Sequence, residues 1–151
     1  MMATVYKQAR GSHATRTAIL LAAAVLVAVA VNAGVAALGM AWGAPHGYGP
    51  MSLPAQALFT VAGVVVGWVG WRLVVSRARD PRRTLWFLVP IVTVVSLVPD
   101  LVLLLAPVIP GTNPPAVISL MLMHLVVVGC AVPAYVVASR GRVDVSAARS
   151  R

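Results

Sequence analysis

The sequence predicts an all-α fold, a four-transmembrane-helix bundle that runs antiparallel, up and down, with both termini on the cytoplasmic side. Three observations predict it. Hydrophobic residues make up 60% of the 151 residues and charged ones 10%, where a soluble domain has roughly 45–50% and about 25%. Four apolar stretches are long enough to cross a hydrocarbon core of about 30 Å, which takes roughly 20 helical residues at about 1.5 Å each. The basic residues, finally, gather in the two tails and around the second connection, and the other two connections carry none. With a formal net charge of +9 on a chain of mean hydropathy +0.93, the cations point to a lipid surface and not to nucleic acid.

The expected spans are residues 17–41, 55–75, 85–107 and 115–138, flanked by a tail of residues 1–16 and a basic tail of residues 139–151. Residues 17–138 form one membrane domain, because no connecting piece is long enough to build a core of its own. Valine runs such as residues 64–66 and 126–128 favour strands in water. A membrane strand alternates apolar and polar residues, however, and these runs are apolar all round, so the backbone satisfies itself as helix. Lys7, Arg10 and Arg16 precede the first span; Arg72, Arg77, Arg79, Arg82 and Arg83 surround the second connection; Arg140, Arg142, Arg149 and Arg151 follow the last span. The positive-inside rule puts all three regions in the cytoplasm. The basic start and the sequence Val31-Asn32-Ala33 resemble a signal peptide, but the apolar run continues to Met40 and gives a full span.

Punctuation agrees with this division. Residues 44–50, rich in Gly and Pro, make an outer loop; Asp80-Pro81 breaks the cytoplasmic loop; residues 110–115 make a tight outer turn. Trp42 lies at the outer end of the first span, and Trp68, Trp71 and Trp86 lie toward inner ends, where amphipathic rings favour the headgroup level. Arg72 is expected to snorkel to that interface. Gly63 and Gly67 form a GxxxG pattern extended by Gly70, and Ala30, Gly34 and Ala37 mark the first span, so these small-residue faces are expected to pack against other helices.

Few residues can carry chemistry. Cys130 stands alone inside the fourth span, which leaves no intramolecular disulfide and no CxxC pair. The chain has no Glu, and its histidines His13 and His46 belong to a tail and a loop. Asp100 is the informative position, since an ionisable group in a span normally faces the bundle interior and has a partner. It follows Pro99, whose ring removes a backbone hydrogen bond. Counted from the outer span ends at about 1.5 Å per residue, Asp100, His124 and Asn32 lie about 12, 14 and 15 Å deep. Ser96 is one turn from Asp100 on the same face. Asn32, Ser96, Asp100 and His124 therefore form the candidate ligand-binding layer. It is read either as a polar clasp that fixes helix rotation or as a small-ligand or proton site in which Asp100 and His124 exchange a proton.

No metal site, cofactor or catalytic residue is expected. A metal needs three or more ligands, and no nucleophile elbow, phosphate loop or HExxH is present. The favoured function is that of a small non-enzymatic integral membrane protein acting through helix or lipid contacts. Its partners are the lipid bilayer, anionic lipids drawn to the arginines, and a further copy or another membrane protein. The alternative is a proton- or small-ligand-binding protein or transporter subunit centred on the Asp100/His124 pair.

These features in order resemble a family of small four-span membrane proteins common in actinobacteria, domain of unknown function family 6069. The likeness runs from about Pro54 to Arg140. It rests on Gly67-Trp68, on Arg82 and Arg83 before Trp86, on Ser96-Leu97 with Pro99-Asp100, and on Met123-His124-Leu125 with Pro133. The resemblance implies a multi-pass protein of a bacterial cytoplasmic membrane and implies no activity.

Overall fold

The computed structural model describes residues 2–140, with side chains from His13 onward. Its helices are α1 (Met2–Ala41), α2 (Leu53–Arg77), α3 (Pro81–Ser96), α4 (Val98–Leu105) and α5 (Pro114–Arg140), with a single 3₁₀ turn at Gly49–Met51. No strand occurs among the described residues. Four segments are long and apolar enough to cross a membrane: His13–Ala41, Leu53–Arg77, Pro81–Leu105 and Pro114–Arg140. The chain is thus an all-helical protein with the character of a multi-pass membrane protein.

The helix ends follow local chemistry. Pro54 occupies the first turn of α2 behind Ser52, and α5 starts on consecutive prolines, which lack the N–H that a first turn leaves unused. Asp80 caps α3 by accepting from the Arg83 amide at 3.1 Å. Asn113 does the same for α5, accepting from the Ala116 amide at 3.0 Å. The helices overrun the expected spans at most ends. α1 begins at Met2, so residues 2–16 continue the helix, and α3 begins at Pro81 where a span start at residue 85 was expected. Residues 141–151 of the expected basic tail lie outside the described residues.

The third span, expected as one helix over residues 85–107, is interrupted instead. Pro99 has no amide to offer the carbonyl four residues earlier. The Leu97 N–H turns back to the Val94 and Val95 carbonyls, α3 ends at Ser96, and α4 restarts with Pro99 in its first turn. Its helix stops at Leu105, so residues 106–107 are not part of it. Pro90 and Pro133 lie inside α3 and α5 without ending them.

Packing centres on α1 and α5, which share the broadest contact, while α2 lies against both and the α3–α4 pair rests on α2 and α5. The buried stripe of α1 is Ala24, Ala28, Asn32 and Ala36, one residue per turn. Such small side chains let helix backbones approach closely, which in lipid is the main source of packing energy. The expected face of Ala30, Gly34 and Ala37 is the exposed one, and a Cβ at Gly34 would meet nothing. The Gly63, Gly67 and Gly70 pattern is used in part. Gly67 receives the Tyr135 ring of α5 and Gly63 faces Val127, but Gly70 is open.

Two apolar clusters form the core. One, at the loop end, joins Ala36, Ala44, Tyr48 and Met51 to Ala116, Leu120 and Met123. The other joins Val64, Ala131 and Tyr135, with Leu21, Val25, Trp68 and Trp71 packed on it. Here the Tyr135 hydroxyl donates to the Val64 carbonyl at 2.6 Å, Trp71 Nε1 donates to Ser139 at 3.0 Å, and the Arg72 guanidinium lies 5.7 Å from the Trp68 ring centre. The loop end is tied separately. Gly43 and Gly111 turn with φ of 111° and 85°, Asn113 donates to the Gly43 carbonyl at 2.8 Å, and Tyr48 shares a 3.0 Å hydrogen bond with Thr112.

Candidate functional site

Between the two apolar clusters the helices turn polar side chains inward. On α1 this is Asn32, between Ala28 and Ala36; on α2 Gln56 and Thr60, before Val64; on α5 the half-exposed His124 follows the buried Met123. Asp100 joins them from α4. The break at Leu97 places Asp100 in the first turn of α4, where the unshared amides of a helix start favour negative charge. Its side chain is 7% exposed, while that of His124 is 41% exposed.

Asp100 and His124 meet. Nδ1 of His124 lies 3.1 Å from Asp100 Oδ2 and 3.0 Å from the Leu120 carbonyl oxygen one turn earlier. A carbonyl oxygen only accepts, so the bond to Leu120 requires a hydrogen on Nδ1. That hydrogen is aligned with Leu120; Oδ2 stands at ion-pair distance but receives no well-aligned hydrogen bond. Nε2, on the far side of the ring, keeps its lone pair in the neutral form and can take a second proton. The geometry thus sets a titratable ring beside a buried carboxyl.

The other two expected members of the layer point elsewhere. The Asn32 amide nitrogen reaches Thr60 Oγ1 at 3.5 Å, across α1 and α2, and its hydrogen bonding lies there and not with the ion pair. The Ser96 hydroxyl donates to the Thr93 carbonyl at 2.7 Å within α3. A serine near a helix end readily bonds its own backbone in this way. Of the four expected residues only Asp100 and His124 meet; Asn32 turns to Thr60, and the Ser96 hydroxyl is spent locally at the helix break.

Sequence reasoning missed Gln56 and Thr60, both buried and one turn apart on α2. Their four-residue spacing inside an apolar span was the available signal. Ser119 is buried as well and bonds the Pro115 carbonyl at 2.8 Å. His46 is exposed in its loop, whereas its neighbour Tyr48 is buried. Among the described residues no group of three His, Cys, Asp or Glu side chains comes together. Two open surface grooves occur elsewhere, one formed by Asp80, Arg82, Arg83 and Trp86, the other running along Val35, Leu38, Trp42 and Leu122; neither includes Asp100 or His124.

A family model described as Family of unknown function (DUF6069) matches residues 9–141. The chain belongs to that family. The match takes in the first span as well as the stretch from Pro54 to Arg140 that carries the resemblance in the sequence. No curated protein and no solved structure matches the chain.

Proposed function

We propose that this DUF6069 member is a small non-enzymatic protein of a bacterial cytoplasmic membrane, working through contacts of its helices with lipid and with other membrane helices. The observation that carries the reading is the third span. α3 has no buried residue, and Trp86, Phe87, Ile91, Val92, Val94 and Val95 all face outward. A helix held so lightly by its own bundle offers its surface to neighbours in the bilayer. The orientation in this proposal has both termini in the cytoplasm in an up-and-down bundle, supported by the arginines around the α2–α3 connection and by outer loops that carry no basic residue. Anionic headgroups are the partners of those arginines.

A photoreactive side chain at Ile91 or Val95, in intact membranes, tests the contact reading. Selective capture of a protein helix or of an enriched lipid class, relative to the same probe at Leu26 of α1, is the expected result. Identical capture of bulk lipid at all three positions would overturn it. A reporter fused after Arg151 tests the orientation and should be active only as a cytoplasmic protein.

One further reading is favoured by a specific observation, the 3.1 Å approach of His124 to the buried Asp100. In this reading the pair is a protonatable centre inside the bilayer, as in a proton-binding protein or a transporter subunit. The imidazole nitrogen resonances of His124 in nanodiscs, followed against pH in the wild type and in Asp100→Asn, separate the two. Coupling moves the His124 titration in the variant; an unmoved titration removes the centre and leaves a packing contact.

A further inference from the structure

Two buried oxygens between α1 and α2 receive no hydrogen bond: Asn32 Oδ1 and Gln56 Oε1. Both side chains are more than nine-tenths buried, at 2% and 5% exposure. Thr60 connects them. Gln56 and Thr60 follow each other by one turn on α2, and Asn32 touches Thr60 from α1. Their amide nitrogens are already engaged. Gln56 Nε2 donates to the Met51 carbonyl at 2.5 Å and Asn32 Nδ2 to Thr60 Oγ1.

Turning the amides over does not remove the problem. A reversed Gln56 would bring its oxygen against the Met51 carbonyl oxygen, two acceptors at hydrogen-bond distance. A reversed Asn32 could accept from the Thr60 hydroxyl, but would leave its nitrogen as the unpaired group instead. Either way the seam keeps buried polar atoms that the protein does not satisfy, in a region where lipid offers them nothing.

We propose that this seam is a binding site for internal water, held between Asn32, Gln56 and Thr60. Water is the chemistry that fits. The seam presents two acceptors and a hydroxyl, and a water molecule donates twice and accepts, as buried waters typically do in polar interiors. A cation fits poorly, because the seam holds no carboxylate to balance it and Asp100 is engaged with His124 on the α4–α5 side. The site is distinct from that ion pair, and it stands whether or not Asp100 and His124 exchange a proton.

The test is magnetisation transfer from water to the side-chain amide protons of Asn32 and Gln56, measured in the rotating frame on the full chain in nanodiscs, where dipolar contact and chemical exchange differ in sign. Dipolar cross peaks are expected at both side-chain amides and not at the backbone amide of Gly34, a residue on the outward, lipid-facing side of the same helix. Gln56→Met keeps the side-chain length and removes the acceptor oxygen; it should abolish the cross peak at Asn32 while the backbone spectrum of α1 stays in place. Asn32→Leu provides the reciprocal loss at Gln56. Dry amides in the folded wild type would overturn the proposal. So would an Asn32 cross peak of undiminished intensity in Gln56→Met, which would show that no water is shared across the seam.

Discussion

Gly67→Ala should destabilise the protein through a single collision, and a second substitution should cure it. A Cβ built at Gly67 lies 2.6 Å from the Tyr135 hydroxyl oxygen and 3.4 Å from the nearest ring carbons. The hydroxyl is not free to yield, because it donates to the Val64 carbonyl at 2.6 Å. Overpacking of this kind costs about 1–3 kcal/mol. Losing the interhelical hydrogen bond by itself, in Tyr135→Phe, costs about 0.6 kcal/mol on the average for membrane proteins. In the double variant the offending oxygen is gone and the remaining ring contacts fall at ordinary van der Waals distance. The double variant should therefore cost little more than Tyr135→Phe, giving a coupling of about 1–3 kcal/mol by the logic of the double-mutant cycle. Reversible unfolding in mixed micelles reads this directly. Trp68 and Trp71 have their ring centres 5.5 and 5.6 Å from that of Tyr135, so their fluorescence reports the same place. Costs that simply add would refute the collision.

Three further outcomes follow from the described contacts. On α1, Gly39→Ala drives a methyl into the Ser119 side chain and should destabilise by about 1–3 kcal/mol, while Gly34→Ala meets nothing and should be neutral or stabilise by up to about 1 kcal/mol through helix propensity; micelle unfolding midpoints distinguish them. His124→Leu strands a buried carboxyl and should destabilise by up to about 3–5 kcal/mol, with Asp100→Leu added to it restoring part of the loss; a double variant less stable than His124→Leu would contradict the pairing. Asn113→Ala removes both the α5 cap and the tie to Gly43 and should cost about 0.5–2 kcal/mol, with faster hydrogen exchange in the first turn of α5.

What was legible in the sequence divides along physical lines. Rise along a helix is fixed at about 1.5 Å per residue, so depth could be counted, and counting placed Asp100 level with His124, which do meet. Rotation about the helix axis is encoded by contrast between faces, and spans that are apolar on every side carry little contrast. The first span offers mostly small residues at helical spacing on two faces, Ala24-Ala28-Asn32-Ala36 and Ala30-Gly34-Ala37. Only the first is buried, and Asn32, the polar member of the series, marked it. The same want of contrast put Asn32 on the wrong partner and hid Gln56 and Thr60. The interruption at Leu97 was partly readable from Pro99. That Ser96 would spend its hydroxyl on the Thr93 carbonyl depends on where the helix stops, which the sequence leaves open by several residues.

The broad contact between α1 and α5 has a consequence for how the protein is made. A ribosome adds about 5–20 residues per second, and α1 reaches the membrane several seconds before its main partner exists. During that interval α1 has only α2 beside it, and the Ala24-Ala28-Ala36 stripe is without the helix that closes it. Until α5 is made, the α1 stripe stays open, and any chain that stops short of α5 leaves Asp100 without His124 and the loop-end cluster without Ala116, Leu120 and Met123. Products truncated before α5 should therefore be short-lived substrates of membrane quality control, and addition of α5 should make the molecule durable.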